Sequence, residues 1–356
     1  MLTLHSVTQL VRTALKWGLI GFAVLVLLYV GIKIGSAIRN RVSPKASVAP
    51  TVTFGKLPSS IFPETIATQQ FTYTIDTLSG KLPAFPDRIS VYPIKQNKPT
   101  LLSLTRAKDK VAGIGFTSSS GAVLPEKKIS ETLYSWNSTS GIPRTLEMDI
   151  ISYNFTLVSD FLSDNDVLNK QRVPTREQAK ETATEFFNAI DTLPADINQE
   201  KTRAEYLTIS NKSLVAASSL ASAHVVRVDF FQNNIDNVPV VYPHPPFSTI
   251  NVLLASGVRN PVIVEAHYLH QEIDTSKKDA TYPIISASQA FEELKTGKAY
   301  IASYFGSSSA IALKDIYVGY YLSNNEQPYA YPVVVFEGDN GFVAYVSLIE
   351  DQWFGE

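Results

Sequence analysis

Residues 17–32 read WGLIGFAVLVLLYVGI, an apolar run without a charge. No other feature constrains the organisation of the chain as tightly. A bilayer core about 30 Å thick takes about 20 helical residues. Continuing past Lys33 to Ile38 gives a candidate transmembrane helix at 17–38, provided the Lys33 ammonium snorkels outward. Trp17 and Tyr29 suit interfacial anchoring. The run is long for a signal peptide, so an uncleaved single-pass anchor in the cell membrane is expected. Flanking Lys and Arg residues leave the orientation nearly tied, and the low-charge remainder favours a large C-terminal domain on the extracytoplasmic side. Residues 2–16 set Leu4, Val7, Val11 and Leu15 on one helical face. Pro44, Pro50, Pro58 and Pro63 make 39–69 a Pro-rich linker.

Composition narrows the remaining classes. Of 356 residues, 45% are hydrophobic and only 18% charged, with 17 Tyr and 18 Phe, a β-rich profile. The net charge of -2 gives no basic field for a polyanion, so nucleic acid is not an expected partner. Cysteine is absent, which removes disulfides, zinc-thiolate sites, iron–sulfur clusters and thiol catalysis.

Three helices carry end signals. One follows Pro99-Thr100 and sets Leu104, Ala107 and Val111 on one face before Gly113. The second opens with a Thr175/Gln178 capping box and continues the stripe Ala179, Ala183, Phe186, Phe187 and Ile190. The third opens at Ser286/Gln289, buries Ala287, Ala290, Phe291 and Leu294, and stops at Gly297. Runs of period-two alternation follow each helix: 131–137 and 145–158; then 224–231, 238–242, 248–255 and 261–269; then 315–322, 330–336 and 342–348. The expected fold class is α+β: an N-terminal transmembrane helix, then tandem modules at 70–160, 161–272 and 273–356. Each would be one amphipathic helix packed on an antiparallel sheet. Helix starts at irregular spacing exclude a solenoid.

The search for chemistry returns little. Neither GxxxxGK nor GxGxxG occurs, and GxSxG and SxxK are also missing. His267 and His270 have HxxH spacing, but their context VIVEAHYLHQEI reads as a strand, where residues three apart point to opposite sides. Asp160, Asp164 and Asp166 lack the glycine and distal glutamate of a calcium loop. No catalytic residue, metal ligand or cofactor is assigned. What remains for binding is the rigid turn YPHPP, with Tyr242 and His244, and an aromatic cluster that includes Tyr320 and Tyr331.

The stretches ISASQAFEELKTGKAYI and IALKDIYVGYYLSNNEQPYAYPVVVFEG, with VRVDFFQNNIDNVPVVYPHPPFSTINVLLASG, resemble the YycH/YycI-like regulatory proteins of bacteria and the related PepSY-like modules. The likeness covers roughly 174–350. FGKLPSSIFP and FTYTIDTLSGKLPAFPDRISVYPI resemble uncharacterised anchored proteins of candidate-phyla bacteria. The first likeness implies an anchored extracytoplasmic α+β domain and a membrane partner of the sensor-kinase type. The expected function is a membrane-anchored, non-enzymatic regulatory or protein-interaction module of the bacterial cell envelope. The alternative is an extracytoplasmic peptide- or glycan-binding protein using a tyrosine-rich sheet face.

Overall fold

A computed structural model of the chain describes residues 49–58, 62–63, 71–139, 141–169, 173–257 and 261–355, together with Trp17, Val26, Leu28–Val30 and Lys33. The chain divides into two units, Met1–Ala49 and Pro50–Glu356.

Most of the first unit, including the 2–16 segment and most of the 17–38 span, lies outside the described residues. Trp17, Tyr29 and Lys33 are helical and exposed there. Among the described residues no helix is long and apolar enough to cross a membrane. The transmembrane helix expected at 17–38, and the single-pass membrane location that rested on it, therefore find no support in the described residues.

In the second unit β1 (Leu57–Pro58), β2 (Thr72–Ile75), β3 (Arg88–Ser90) and β4 (Tyr92–Pro93) precede helix α1 (Ser103–Gly113). Strands β5 (Glu126–Lys128), β6 (Leu133–Ser138), β7 (Arg144–Asp149) and β8 (Phe155–Ser159) lead to the short α2 (Asn165–Asn169) and to α3 (Arg176–Ala189). Next come β9 (Ile197–Ser210), β10 (Ser213–Ala216), β11 (Val225–Gln232), β12 (Val240–Val241), β13 (Ile250–Ala255) and β14 (Val262–Tyr268). The order is completed by β15 (Thr281–Pro283), α4 (Ala287–Lys295), β16 (Tyr300–Ser303), β17 (Ala310–Tyr321), β18 (Tyr329–Gly338), β19 (Val343–Ser347) and β20 (Phe354–Gly355).

These strands form a mostly β architecture of several sheets. A nine-stranded sheet runs β10-β9-β11-β13-β14-β8-β7-β6-β5, and a seven-stranded sheet is built around β12-β17-β18-β19-β16. Every pairing in the large sheet is antiparallel. Separate helix-on-sheet modules are not found. Strand β8 pairs with β14, joining the strands expected of the first two modules into one sheet. Strands β2 and β12 both pair in parallel with β17, and β4 pairs with β18. The physical reason is the open edge: a small sheet left alone exposes unpaired N–H and C=O groups, and pairing across the expected boundaries satisfies them. Part of the expected linker is also packed in, since Leu57 is buried and β1 pairs with β20.

The helix end signals act locally. The Thr175 hydroxyl oxygen accepts a hydrogen bond from the Gln178 amide while the Gln178 side-chain Oε1 accepts one from the Thr175 amide, a complete capping box. Ser286 accepts from the Gln289 amide at the start of α4. Ala107 and Val111 of α1, and Ala179, Ala183 and Phe187 of α3, pack on one face of the large sheet with Trp136, Leu146, Phe155, Val228 and Val252. Gly113 lets the ends of α1 and α3 meet, because a Cβ there would lie 2.3 Å from the Ala189 carbonyl oxygen. The 145–158 run is two strands: Asp149 caps a turn, accepting from the Ile151 and Ser152 amides, and Tyr153 takes a φ of 59°.

Candidate functional site

Alternation in the large sheet puts Val226, Val228 and Phe230 of β11, and Ile250, Val252 and Leu254 of β13, into the helix-covered core. The intervening residues face the other way: Val225, Leu253 and Ala255 join a second apolar cluster there, while Arg227, Asp229 and Asn251 are polar. Register aligns them strand by strand. Arg203 of β9 lies opposite Asp229, Asp229 opposite Asn251, and Asn251 opposite His267. His267 lies opposite Thr156, Thr156 opposite Glu147, Glu147 opposite Ser135, and Ser135 opposite Lys127. A continuous polar row therefore crosses from β9 to β5 on the face away from α1 and α3.

Over the middle of this row is a cleft of about 750 Å³. Glu147, Thr156, Asn251 and His267 of the row line it, beside Arg227 and Asp149. Its wall is the YPHPP turn, which contributes Tyr242, Pro243 and His244 and contains a cis Pro245–Pro246 bond, together with the Phe247 that follows it. The second sheet holds that wall in place. Tyr345 donates its hydroxyl to the Tyr242 carbonyl at 2.9 Å, and Tyr300 donates to the Pro243 carbonyl at 3.0 Å. Val240 and Val241, just before the turn, pair with Tyr320 and Tyr321.

The guanidinium of the cleft is already occupied. Arg227 donates from Nε to Asp229 Oδ2 at 2.9 Å and from Nη2 to Oδ1 at 3.0 Å, and its guanidinium lies 4.3 Å from the centre of the Phe247 ring. Asp229 is almost fully buried, and burial pushes its carboxyl up despite the Arg227 bonds and charge and the Ser248 amide. His267 Nε2 pairs with Glu265 Oε1 at 2.9 Å. Asp149 accepts from the Ser152 hydroxyl as well as two amides. Two acceptors stand apart. Glu147 has no side-chain hydrogen bond or ion pair with any described residue. Asn251, 4% exposed, donates its Nδ2 to the Ser248 carbonyl at 3.0 Å, which leaves Oδ1 buried without a partner.

The binding residues expected from sequence separate into two groups. Tyr242 and His244 line the cleft, Tyr242 mostly through its buried ring and His244 as an exposed residue. Tyr320 and Tyr331 are each 2% exposed, so they present no aromatic binding face. Tyr320 donates to the Ser90 carbonyl and Tyr331 to the Pro58 carbonyl, and burial raises both hydroxyls. They join segments far apart in sequence instead. His267 and His270 turn to different carboxylates, His270 Nε2 lying 2.9 Å from Asp196 Oδ1. Among the described residues no group of three His, Asp or Glu is placed to hold a metal ion. Asn251, Glu147 and Arg227 escape a search by motif. Their signal is a polar side chain within an otherwise apolar strand, alternating in VVRVDFF and single in INVLLA.

No protein-family model matches the chain, and no curated protein matches it.

Proposed function

We propose that this protein is a non-enzymatic interaction module that holds a short, extended segment of a partner in the cleft over the polar row. The observation that carries this reading is the chemistry of the face: strands that could have buried apolar residues under the YPHPP wall present Glu147, Thr156, His267 and Asn251 there. Its volume lies within the range of about 300–1,000 Å³ typical of ligand sites. The polar groups are held by strands rather than loops, so their spacing is fixed before a ligand arrives, and less ordering is needed on binding.

The test is a chemical-shift screen of the full chain against short peptides and oligosaccharides. Saturable shifts confined to cleft residues such as His267, Phe247 and the Asn251 side-chain amide are expected for at least one class. A cleft that stays silent to both classes while other surfaces respond removes the reading.

A further inference from the structure

We infer that the segment held in the cleft is a peptide carrying a lysine, its ammonium on Glu147 and a backbone or side-chain N–H on Asn251 Oδ1. This rests on the binding reading above and adds the chemistry of the ligand. The first observation is the orphan acceptor. The Ser248 carbonyl can only accept, so the Asn251 nitrogen must face it, and Oδ1 is the atom left wanting a donor. A buried acceptor without a donor is unfavourable and rare in folded proteins, and Asn251 lines the cleft.

The second observation is the charge of the lining. Arg227 is taken by Asp229 and His267 by Glu265, so neither is free for an anion. Glu147 carries a charge that nothing in the described residues answers, with the Asp149 carboxylate two positions on. A carboxylate in that setting selects a cation, and hydrogen bonds to a charged group are the stronger kind.

Spacing selects the shape. Asn251 and Glu147 sit in one row, separated by the His267 and Thr156 strands. Three steps of about 4.8 Å make about 14 Å, the length of about four residues of extended chain. Such a chain offers N–H donors along its length, as the Asn251 end requires. Its side chains would meet Leu133, Phe247 and Leu269, apolar residues of the lining.

The experiment is isothermal titration calorimetry of the full chain with blocked tetrapeptides, acetyl-Lys-Ala-Ala-Ala-amide and its norleucine and glutamate counterparts, and with a glucosamine trimer. The lysine peptide should bind about tenfold or more tightly than the other two peptides. Glu147→Gln should bring lysine and norleucine within about twofold, and Glu147→Lys should turn the preference to glutamate, with thermal midpoints unchanged. Equal or tighter binding of the norleucine or glutamate peptide to the unmodified chain overturns the inference while leaving a ligand in the cleft. So does a glucosamine trimer that binds better than the lysine peptide, since it carries the ammonium on a glycan. Failure of the lysine peptide to bind at all also overturns it, and the wider screen then decides separately whether the cleft binds anything.

Discussion

The two faces of the large sheet are made by the same strands and are used in opposite ways. On one face Val226, Val228, Val252 and Phe155 meet Ala183 and Phe187 of α3 in a dry core. On the other, one residue along, Asp229, Asn251, His267 and Thr156 form the polar row. Burial alone does not distinguish them, because Asp229 and Asn251 are as enclosed as many core residues. The difference is in chemistry. The helix-covered face is apolar apart from one unpaired buried donor, the Trp136 Nε1–H, whereas the polar face contains a buried acceptor and a carboxylate that the described residues leave unanswered. On the reading proposed above, the first face supplies packing and the second carries the binding chemistry.

Substitutions on the two faces should therefore separate. Phe187→Ala opens a cavity where α3 meets Phe230 and Tyr268, and should cost about 3–5 kcal/mol in denaturant unfolding. Asp229→Ala leaves the Arg227 guanidinium and the Ser248 amide without their carboxylate, and should cost about 3 kcal/mol. Replacing both Arg227 and Asp229 by Met and Leu should restore much of that loss, because the desolvation of the pair goes with it. A full loss in the double variant would show that the pair is needed for packing and blur the distinction between the faces.

Smaller effects sharpen it. Asp196 is raised by burial, but the His270 and Gln232 hydrogen bonds and the His270 charge outweigh this and hold its carboxyl below the usual range. A depressed acid stabilises the fold above its unfolded value of about 3.9, and that contribution is lost as pH falls through the lower folded value. Asp196→Asn should accordingly flatten the fall in thermal midpoint below about pH 4 and leave the cleft's binding unchanged. Asn251→Leu removes an unpaired acceptor, so its thermal midpoint should hold or rise slightly, although the Ser248 carbonyl loses a donor. Glu147→Gln, at a half-buried strand position, should change stability by less than about 0.5 kcal/mol.

What the sequence discloses follows from the range of the forces involved. The Thr175/Gln178 and Ser286/Gln289 caps are local, and the helices begin where those residues place them. Strands such as β11, β13 and β14 appear as alternation for the same reason. Strand β9 does not, because its Glu200, Lys201, Arg203 and Glu205 give INQEKTRAEYLTIS the look of a charged connector. It becomes a strand by pairing with β11, and that pairing is long-range. The same limit hid the joining of β8 to β14, which turns expected modules into one sheet. The aromatic cluster misled in another way: tyrosines suit exposed faces and cores equally, and Tyr320 and Tyr331 found carbonyl partners inside. Tyr242 and His244 reach the cleft because the proline-rich turn that carries them is its wall.

The most direct test of the central claim is a crystal structure of the full chain grown with the acetyl-Lys-Ala-Ala-Ala-amide peptide. The account predicts the peptide across β13, β14, β8 and β7, with its ammonium on Glu147 and an N–H on Asn251 Oδ1. A peptide bound on any other surface, with the cleft left empty, would contradict it.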